Sequence, residues 1–486
     1  MAESTELTVL LNGLVAGSVR ILDAGRAEFA YDSDYLARRE SIPLSMSLPF
    51  SDQPFNAETT MRWINGLLPD NERVLERWYQ NEGVSPPTTL GLMATRVGHD
   101  CAGAVQFCRS GQESELTARE SGLRTLGQAQ LEEEVALMAL DTARWLPDDE
   151  DAYFSLGGFQ AKTALHRQGS GWARPYGATP TTHILKPSPS GRPDQAVVEH
   201  LCLASARRLG MPAADSEIAA FAGHPTVIVT RYDRERTGGN WIRVHQEDMC
   251  QALGRSPQQK YEKYGGPGIL AIGDAISLFS IEPEIDLGRF RDALLYYWMI
   301  VNRDGHARNF SIIVHTRGVR LAPLYDVGSA LPFAKKRIGE MELAMRFGSD
   351  FTVYRSGAKD SLRSLAAYLA LPLDSTLDRA EEIAASAVSA LDSEIAAMPP
   401  GIPTSRSLDT FRSRLKKRSD DCLRTVAANR RAARKKPVSE DRELAPRDLS
   451  PLDVTVGVKQ LCRHIGKRTR KPCVLPLGHQ GQHRYG

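Results

Sequence analysis

Long apolar runs are missing from this 486-residue sequence, and none approaches the roughly 20 residues that crossing a bilayer takes. Met1 to Leu10 also lacks the basic-then-apolar order of a secretory leader. A cytoplasmic protein with no membrane association is therefore expected. Cysteine is scarce. The seven present, at 101, 108, 202, 250, 422, 462 and 473, are odd in number and mostly scattered through apolar segments, which argues against a disulfide framework. No unit of about 20 to 50 residues recurs, which argues against a solenoid.

What is present is ordinary globular composition, 42% hydrophobic and 25% charged, in a chain long enough for two or three packed cores. The net charge of +2 hides an asymmetry. Residues 405–486 hold 21 Lys+Arg against 8 Asp+Glu, a balance of +13, so residues 1–404 carry −11. A basic appendage on an acidic body is expected. Its runs at Arg412 to Arg418 and Arg430 to Lys436 suit either nucleic acid or a plain solvated helix face.

Leu7 to Leu11, Asn12-Gly13 and Leu14 to Ile21 predict a hairpin, because Asn-Gly supplies the positive φ angles of a tight turn. Gly/Pro punctuation then alternates with apolar segments to Cys108, including Pro43 to Pro49 and Leu67-Leu-Pro-Asp-Asn-Glu72, which predicts a small mixed β domain over residues 1–110. The polar stretch Arg109 to Gln130 is expected to be a connector, followed by helical pattern from Leu131 to Trp145. Phe154 to Leu165, Thr182 to Leu185 and Thr226 to Tyr232 carry β-favouring residues, and Val197 to Leu209 has a helical apolar spacing. From Glu247 the pattern is mainly helical, broken by Gly265 to Gly268 and a second hairpin around Gly318.

The sharpest local signal is Asn302-Arg-Asp-Gly-His-Ala-Arg-Asn309, followed by a hairpin that ends at Asp326. An Asp five residues before an Asn, then a strand pair delivering a second Asp, is the layout by which kinases place a base and two magnesium ligands. Asp304 would orient a substrate hydroxyl. Asn309 and Asp326 would hold Mg²⁺, whose hard character suits amide and carboxylate oxygens. Lys186 closes the segment Thr182-His-Ile-Leu-Lys186, and thirteen residues later Glu199 opens an amphipathic helix, the pairing that aims an ammonium at nucleotide phosphates. Ser155-Leu-Gly-Gly-Phe-Gln-Ala-Lys162-Thr163 offers a glycine pair for close phosphate approach, although it is not a Walker loop. Taken singly, each of these residues is also what ordinary turns and caps use.

Together the motifs resemble HipA-type kinases: Phe154 to Leu165, Gly177 to Lys186, Gln246-Glu-Asp-Met-Cys250, Lys260-Tyr-Glu262 with Gly265 to Gly268, Asp304 to Ser311, and Leu324-Tyr-Asp326 stand in that family's order. The resemblance spans about residues 7–400 and implies an α+β fold, a protein-kinase-like two-lobed domain over 145–400 behind the small N-terminal domain. The N-lobe would cover about 145–245 and the mainly helical C-lobe about 246–400. It implies ATP as phosphoryl donor, a phosphate loop of Gly157, Gly158, Phe159, Gln160, Ala161 and Lys162, and an adenine-contacting strand at Thr230, Arg231, Tyr232 and Asp233. Nucleotide contacts are also implied at His306, Ala307, Arg308, Asn309 and Tyr325, beside those of Lys186, Glu199 and Asp326. The family commonly has an acidic residue where Thr230 stands. Ser155 resembles its autophosphorylation site, with a plain structural serine as the other reading. The implied activity is serine/threonine kinase toxin acting on a translation component such as an aminoacyl-tRNA synthetase, with a HipB-like helix-turn-helix antitoxin as partner. DNA would be met through the antitoxin or the basic tail. The rival reading is a catalytically inactive kinase fold that binds DNA through that tail.

The resemblance does not reach residues 401–486. There Cys462, Cys473, His479 and His483 have the spacing C-x10-C-x5-H-x3-H, which suits a zinc knuckle over 462–483, with His464 a rival ligand and a basic tail without metal as the alternative. If these four bind zinc, the protein should purify under reducing, chelator-free conditions with about one Zn²⁺ per chain, and Cys473→Ser should release it. Metal analysis of both proteins decides this.

Overall fold

The structure is a computed structural model and describes residues 6–23, 25–117, 122–145, 154–348, 350–353 and 361–435. Strands β1 (Glu6–Leu11) and β2 (Leu14–Asp23) form the expected hairpin, turned by Asn12 at φ 52° and Gly13 at φ 75°. With β3 (Arg26–Tyr31) and β4 (Val105–Arg109) they make a sheet of order β3-β2-β1-β4. Helix α1 (Ala57–Gly66) is started by Asn56, whose side chain accepts from the Thr59 amide, and buries Trp63 and Ile64. Trp63 packs on Phe107 of the sheet with ring centroids 5.9 Å apart.

The second sheet has six strands: β5 (Gly122–Leu126), β6 (Thr163–Gln168), β7 (Gly171–Tyr176), β8 (His183–Pro187), β9 (Ser216–Phe221) and β10 (His224–Thr230), in the order β5-β7-β6-β8-β10-β9. Two expectations change here. The polar stretch after Arg109 is not only a connector: its β5 portion pairs with β7, Leu126 opposite Trp172. As an edge strand with most of its side chains outside the core, β5 lacks the apolar alternation that betrays a strand. Nor does a strand begin at Phe154: residues 156–162 run as a loop and β6 starts only at Thr163. Helix α2 (Gln128–Leu140) and helix α3 (Gln195–Arg208) flank this sheet, and α3 is buried continuously from Ala196 to Ala206.

The C-terminal lobe is mainly helical. It holds α4 (Ile269–Phe279), α5 (Pro283–Ile300), α6 (Ser361–Tyr368) and α7 (Leu373–Ala397), with a three-stranded sheet, β13-β14-β15, made by His245–Asp248, Ser311–His315 and Gly318–Leu321 after the small hairpin β11 (Arg234–Thr237) and β12 (Asn240–Arg243). Helix α5 begins with proline, which suits a first-turn position, and buries every residue from Ala293 to Ile300. It stops at Val301, which turns left-handed at φ 55° and releases the chain into Asn302 to Asn309.

The basic extension is corrected in its first half. Residues Ser407–Lys435 form α8, which buries Phe411, Leu415, Cys422 and Val426 against the lobe. Some of its cations are engaged inside the molecule: Arg412 with Asp392, Arg430 with Asp378 and Glu381, while buried Arg418 donates to the Trp298 carbonyl. The helix packs its apolar face on α7 and keeps a solvated face on which Arg412, Lys416 and Lys417 are exposed. Cys462, Cys473, His479 and His483 lie outside the described residues. Ending the chain after Pro400 should therefore uncover several core side chains worth about 1.5 to 3 kcal/mol each, a total comparable to the stability of a whole domain. Such a protein should be insoluble or melt far below the parent, whereas one ended after Lys435 should melt near it; thermal unfolding of the two separates the cases.

Candidate active site

A cleft of about 360 Å³ lies where the two lobes and the N-terminal domain meet. Its centre is Lys186 on β8. Its ammonium lies 2.7 Å from Glu199 on α3 and 2.7 Å from Asp326. Burial disfavours the ammonium, but the two carboxylates more than offset this and hold its pKa above the ordinary lysine value. Burial likewise pushes Asp326 up, and Lys186 and Lys162 outweigh it, bringing its pKa down to about 2. Glu199 is raised by burial, with Lys186 opposing; Asp326 is thus the more firmly ionised of the pair. Asp326 stands at φ 54°, a left-handed backbone that aims the turn after Tyr325 into the cleft.

The loop before β6 forms one wall. Gly158 sits at φ 102°, which favours glycine, and a Cβ on Gly157 would collide with the Arg308 guanidinium. Lys162 donates to the Gly157 carbonyl at 2.8 Å and lies 4.3 Å from the centre of the Trp145 ring. Burial and the charge of Lys186 lower its pKa to about 7. Ala161 is buried, while Phe159 is exposed and, with Gln160, faces the cleft.

Asp304 is held by its neighbours at both backbone and side chain. Asn302 accepts from its amide at 2.9 Å, and the Asn309 amide nitrogen donates to its carbonyl at 2.6 Å. The latter bond commits the nitrogen end of Asn309 and leaves the oxygen, a hard ligand, for the cleft. The Tyr261 hydroxyl donates to the Asp304 carboxylate, and the Tyr261 ring meets His306 edge-on at 4.8 Å. Desolvation raises the pKa of Asp304, the Tyr261 hydroxyl lowers it, and Asp326 raises it, the net shift being upward. His306 is brought down to about 3 by burial and by Lys260 and Arg308, so it is neutral at physiological pH.

The expected nucleotide-facing residues divide by what their side chains already hold. Arg308 lines the cleft, but its guanidinium is bonded to Asp70, to Asp248 at 3.0 Å and to the Gly66 carbonyl at 2.6 Å. Arg231 and Asp233 pair at 2.8 Å within a buried cluster that includes Asp100, Arg234 and Arg243. Thr230 and Tyr232 remain on the cleft surface, where Tyr232 donates to Gln246 at 2.7 Å and packs 5.5 Å from Tyr325. Tyr325 donates to the Arg308 carbonyl at 2.7 Å, and Ala307 is buried beside it in the loop. Ser155 is fully buried, its hydroxyl donating to the Leu67 carbonyl at 2.7 Å and its amide to the Asp100 carbonyl at 2.9 Å.

Asp70 is the residue that sequence reasoning passed over. It lies in the punctuated segment Leu67 to Glu72 of the N-terminal domain, yet it accepts from Lys260 at 2.7 Å and from Arg308, and its amide donates to the Gly158 carbonyl at 2.9 Å. Nothing in a Leu-Pro-Asp-Asn turn signals a partner more than 180 residues away. Lys260 and Tyr261 stand in one of the family-like motifs, with no role assigned to them from sequence.

A second domain contact involves Glu247 on β13, which accepts from Ser45 and, at 2.7 Å, from the Met46 amide. Burial pushes its pKa up to about 8, with those two donors opposing.

This geometry, a strand lysine, a helix glutamate and an Asp/Asn/Asp set across two lobes, defines a protein of kinase-like fold. The chain matches the HipA N-terminal domain over residues 7–108 and the HipA-like C-terminal domain over residues 154–395. It is 33% identical over 352 residues to Y4mE of Sinorhizobium fredii, a protein named as a kinase, covering 71% of this chain and 82% of that one. It is 29% identical over 366 residues to the serine/threonine-protein kinase toxin HipA of Shewanella oneidensis, covering 72% and 80%. In fold it matches the Shewanella oneidensis HipA, HipB and operator DNA complex with TM-score 0.75 and 24% identity, over 87% of this chain and 99% of that one. The chain belongs to the HipA family.

Because Glu247 titrates near 4.5 when unfolded and near 8 when folded, its protonated form favours the fold; that contribution is complete below about pH 4.5 and is lost as pH rises toward about 8. Glu247→Gln keeps an acceptor for Met46 and a donor for Ser45 without the charge. It should melt about 2 °C or more above the parent at pH 8 and show no such advantage at pH 5, as read by thermal unfolding at the two pH values.

Proposed function

We propose that the chain is an ATP- and Mg²⁺-dependent protein serine/threonine kinase, the toxin of a toxin–antitoxin pair. The observation that carries this reading is the convergence of Lys186, Asp304, Asn309 and Asp326 on one cleft, with Glu199 paired to Lys186. Lys186, oriented by Glu199, reaches for the nucleotide phosphates, and the amides and lysine of the Gly157 to Lys162 loop cover them. The backbone of Thr230 to Asp233 receives the adenine, since two of the four side chains are engaged elsewhere, while His306 to Asn309 and Tyr325 line the other side. Asn309 and Asp326 supply oxygen ligands for Mg²⁺, which would offset phosphate charge when bound. Asp304, steadied through its backbone by Asn302 and Asn309, accepts the hydrogen bond of a substrate hydroxyl and takes its proton as transfer proceeds.

Similarity to the Shewanella kinase toxin supports a toxin role, and likeness to a HipA bound with HipB and operator DNA supports a HipB-like helix-turn-helix antitoxin that brings the chain to DNA. A translation component such as an aminoacyl-tRNA synthetase is the target the family resemblance favours, and the cytoplasm the place of action. The rival, an inactive scaffold that binds DNA through a basic tail, is weakened by the presence of the whole catalytic set. Self-phosphorylation at Ser155 requires residues 155–162 to leave their seat, and phosphate there, carrying about two negative charges, would repel nucleotide from the loop.

Purified protein should transfer the γ-phosphate of ATP only with Mg²⁺. Asp304→Asn should lose about 10²-fold or more of that transfer while binding ATP nearly as well as the parent. Mass spectrometry should find the self-modified residue at Ser155. Turnover near the parental level by folded Asp304→Asn would reject the assignment.

A further inference from the structure

A second hollow, of about 880 Å³, opens from the far side of Asp304. It shares Asp304, Asp326, Arg192 and Gln160 with the nucleotide cleft, so anything lying in it reaches the exposed Asp304 carboxylate. Its outer wall holds Arg303, Lys335 and Lys336, all exposed. The carboxylates that line it are already accounted for: Glu199 and Asp326 pair with Lys186, and Asp304 is the proposed base. Among the described residues Arg192, Arg303, Lys335 and Lys336 have no carboxylate partner. This local excess of positive charge stands on a body whose first 404 residues carry −11.

The backbone that carries two of these cations is also held, and a third cation is aimed. Arg414 of α8 donates to the carbonyls of Leu331 and Ala334 at 2.7 and 3.0 Å, which fixes the turn that carries Lys335 and Lys336. Arg303 uses its Nε on the Glu342 carbonyl at 3.2 Å, which aims the rest of the guanidinium outward. Unpaired charges around a concave floor are what a site for a negatively charged partner needs. Arg192 also faces the nucleotide, so the three remaining cations are the ones that discriminate among acceptors.

We propose that this groove is the acceptor site and that it selects serine or threonine in an acidic peptide segment, with Arg303, Lys335 and Lys336 meeting the Asp or Glu side chains that flank the phosphorylated residue. The inference rests on the kinase reading and gives it a substrate class. A peptide is favoured over nucleic acid because it can keep its acidic flanks at the rim with the cations and bring only a neutral hydroxyl to the Asp304 carboxylate, whereas a phosphate backbone carries a charge at every nucleotide.

The test uses full-length protein and three fluorescent serine-centred peptides that differ only in flanks of Asp/Glu, Gln or Lys/Arg. Binding is read by anisotropy on Asp304→Asn protein with a magnesium complex of a non-hydrolysable ATP analogue, and transfer is read on the parent. The acidic peptide should bind at least about 10-fold more tightly than the basic one, with a difference that shrinks as salt screens the pairs. Lys335→Glu with Lys336→Glu, both at exposed positions, should abolish or invert the preference without altering affinity for the ATP analogue. Equal binding of the three peptides, or a preference that survives the charge reversal, would overturn the proposal. So would a thymidine oligonucleotide that binds more tightly than the acidic peptide and is lost in the same variant. Transfer to all three peptides alike would leave the kinase reading standing and reject this one. Selective binding with no transfer to any peptide would reject the kinase reading and with it the acceptor role, leaving only a site for acidic peptides.

Discussion

One ammonium held between two carboxylates organises the centre of this protein. Lys186 comes from the sheet of the first lobe, Glu199 from the helix packed against it, and Asp326 from the turn that follows the hairpin of the second lobe. Neither Lys186 nor Glu199 could be buried alone without a heavy desolvation cost, and the half-buried Asp326 adds a second carboxylate to the same ammonium. The cluster ties the first lobe to the second across the cleft, and the charge of Lys186 helps keep Asp326 ionised. The arrangement is also poised for a ligand that competes for the same charges, because phosphate oxygens and a metal ion would redistribute contacts the protein now makes with itself.

The N-terminal domain takes part in the same balance of charge. Asp70 and the Gly66 carbonyl reach Arg308 and Lys260, and the Asp70 amide holds the Gly158 carbonyl. On the other side, Asp100 is buried among Arg231, Arg234 and Arg243, whose charges outweigh its burial and hold its pKa below the ordinary carboxylate value. Two domains read as separate units in the sequence therefore share one polar interior, and the loop over the cleft is as much a property of the first as of the second.

Much of this was legible beforehand, for reasons that can be named. Asn12-Gly13 announces its hairpin because few residue pairs tolerate two positive φ angles. Lys186, Glu199, Asp304, Asn309 and Asp326 are legible because phosphoryl transfer needs those groups at those intervals, and their order along the chain survives without knowledge of the fold. Strand β5 was hidden because an edge strand with few buried side chains has no apolar alternation to show. The packing of helix α8 on the lobe was hidden because its few apolar residues, Phe411, Leu415, Cys422 and Val426, stand among so many charges, and Asp70 was passed over because a long-range partner leaves no local mark. The fold and the chemical set are local or periodic signals; the junctions that join domains are not.

Ser155 shows what burial implies for rate. A hydroxyl that is fully enclosed and bonded to the Leu67 carbonyl meets a reagent only during a local opening of the chain. Chemistry at that atom then proceeds at the intrinsic rate multiplied by the fraction of molecules open at any instant. Such a process is unimolecular in its gating step and indifferent to how much protein is present. A ligand that favoured the closed form would lower that open fraction according to its occupancy, and so would slow any chemistry at the serine beneath it.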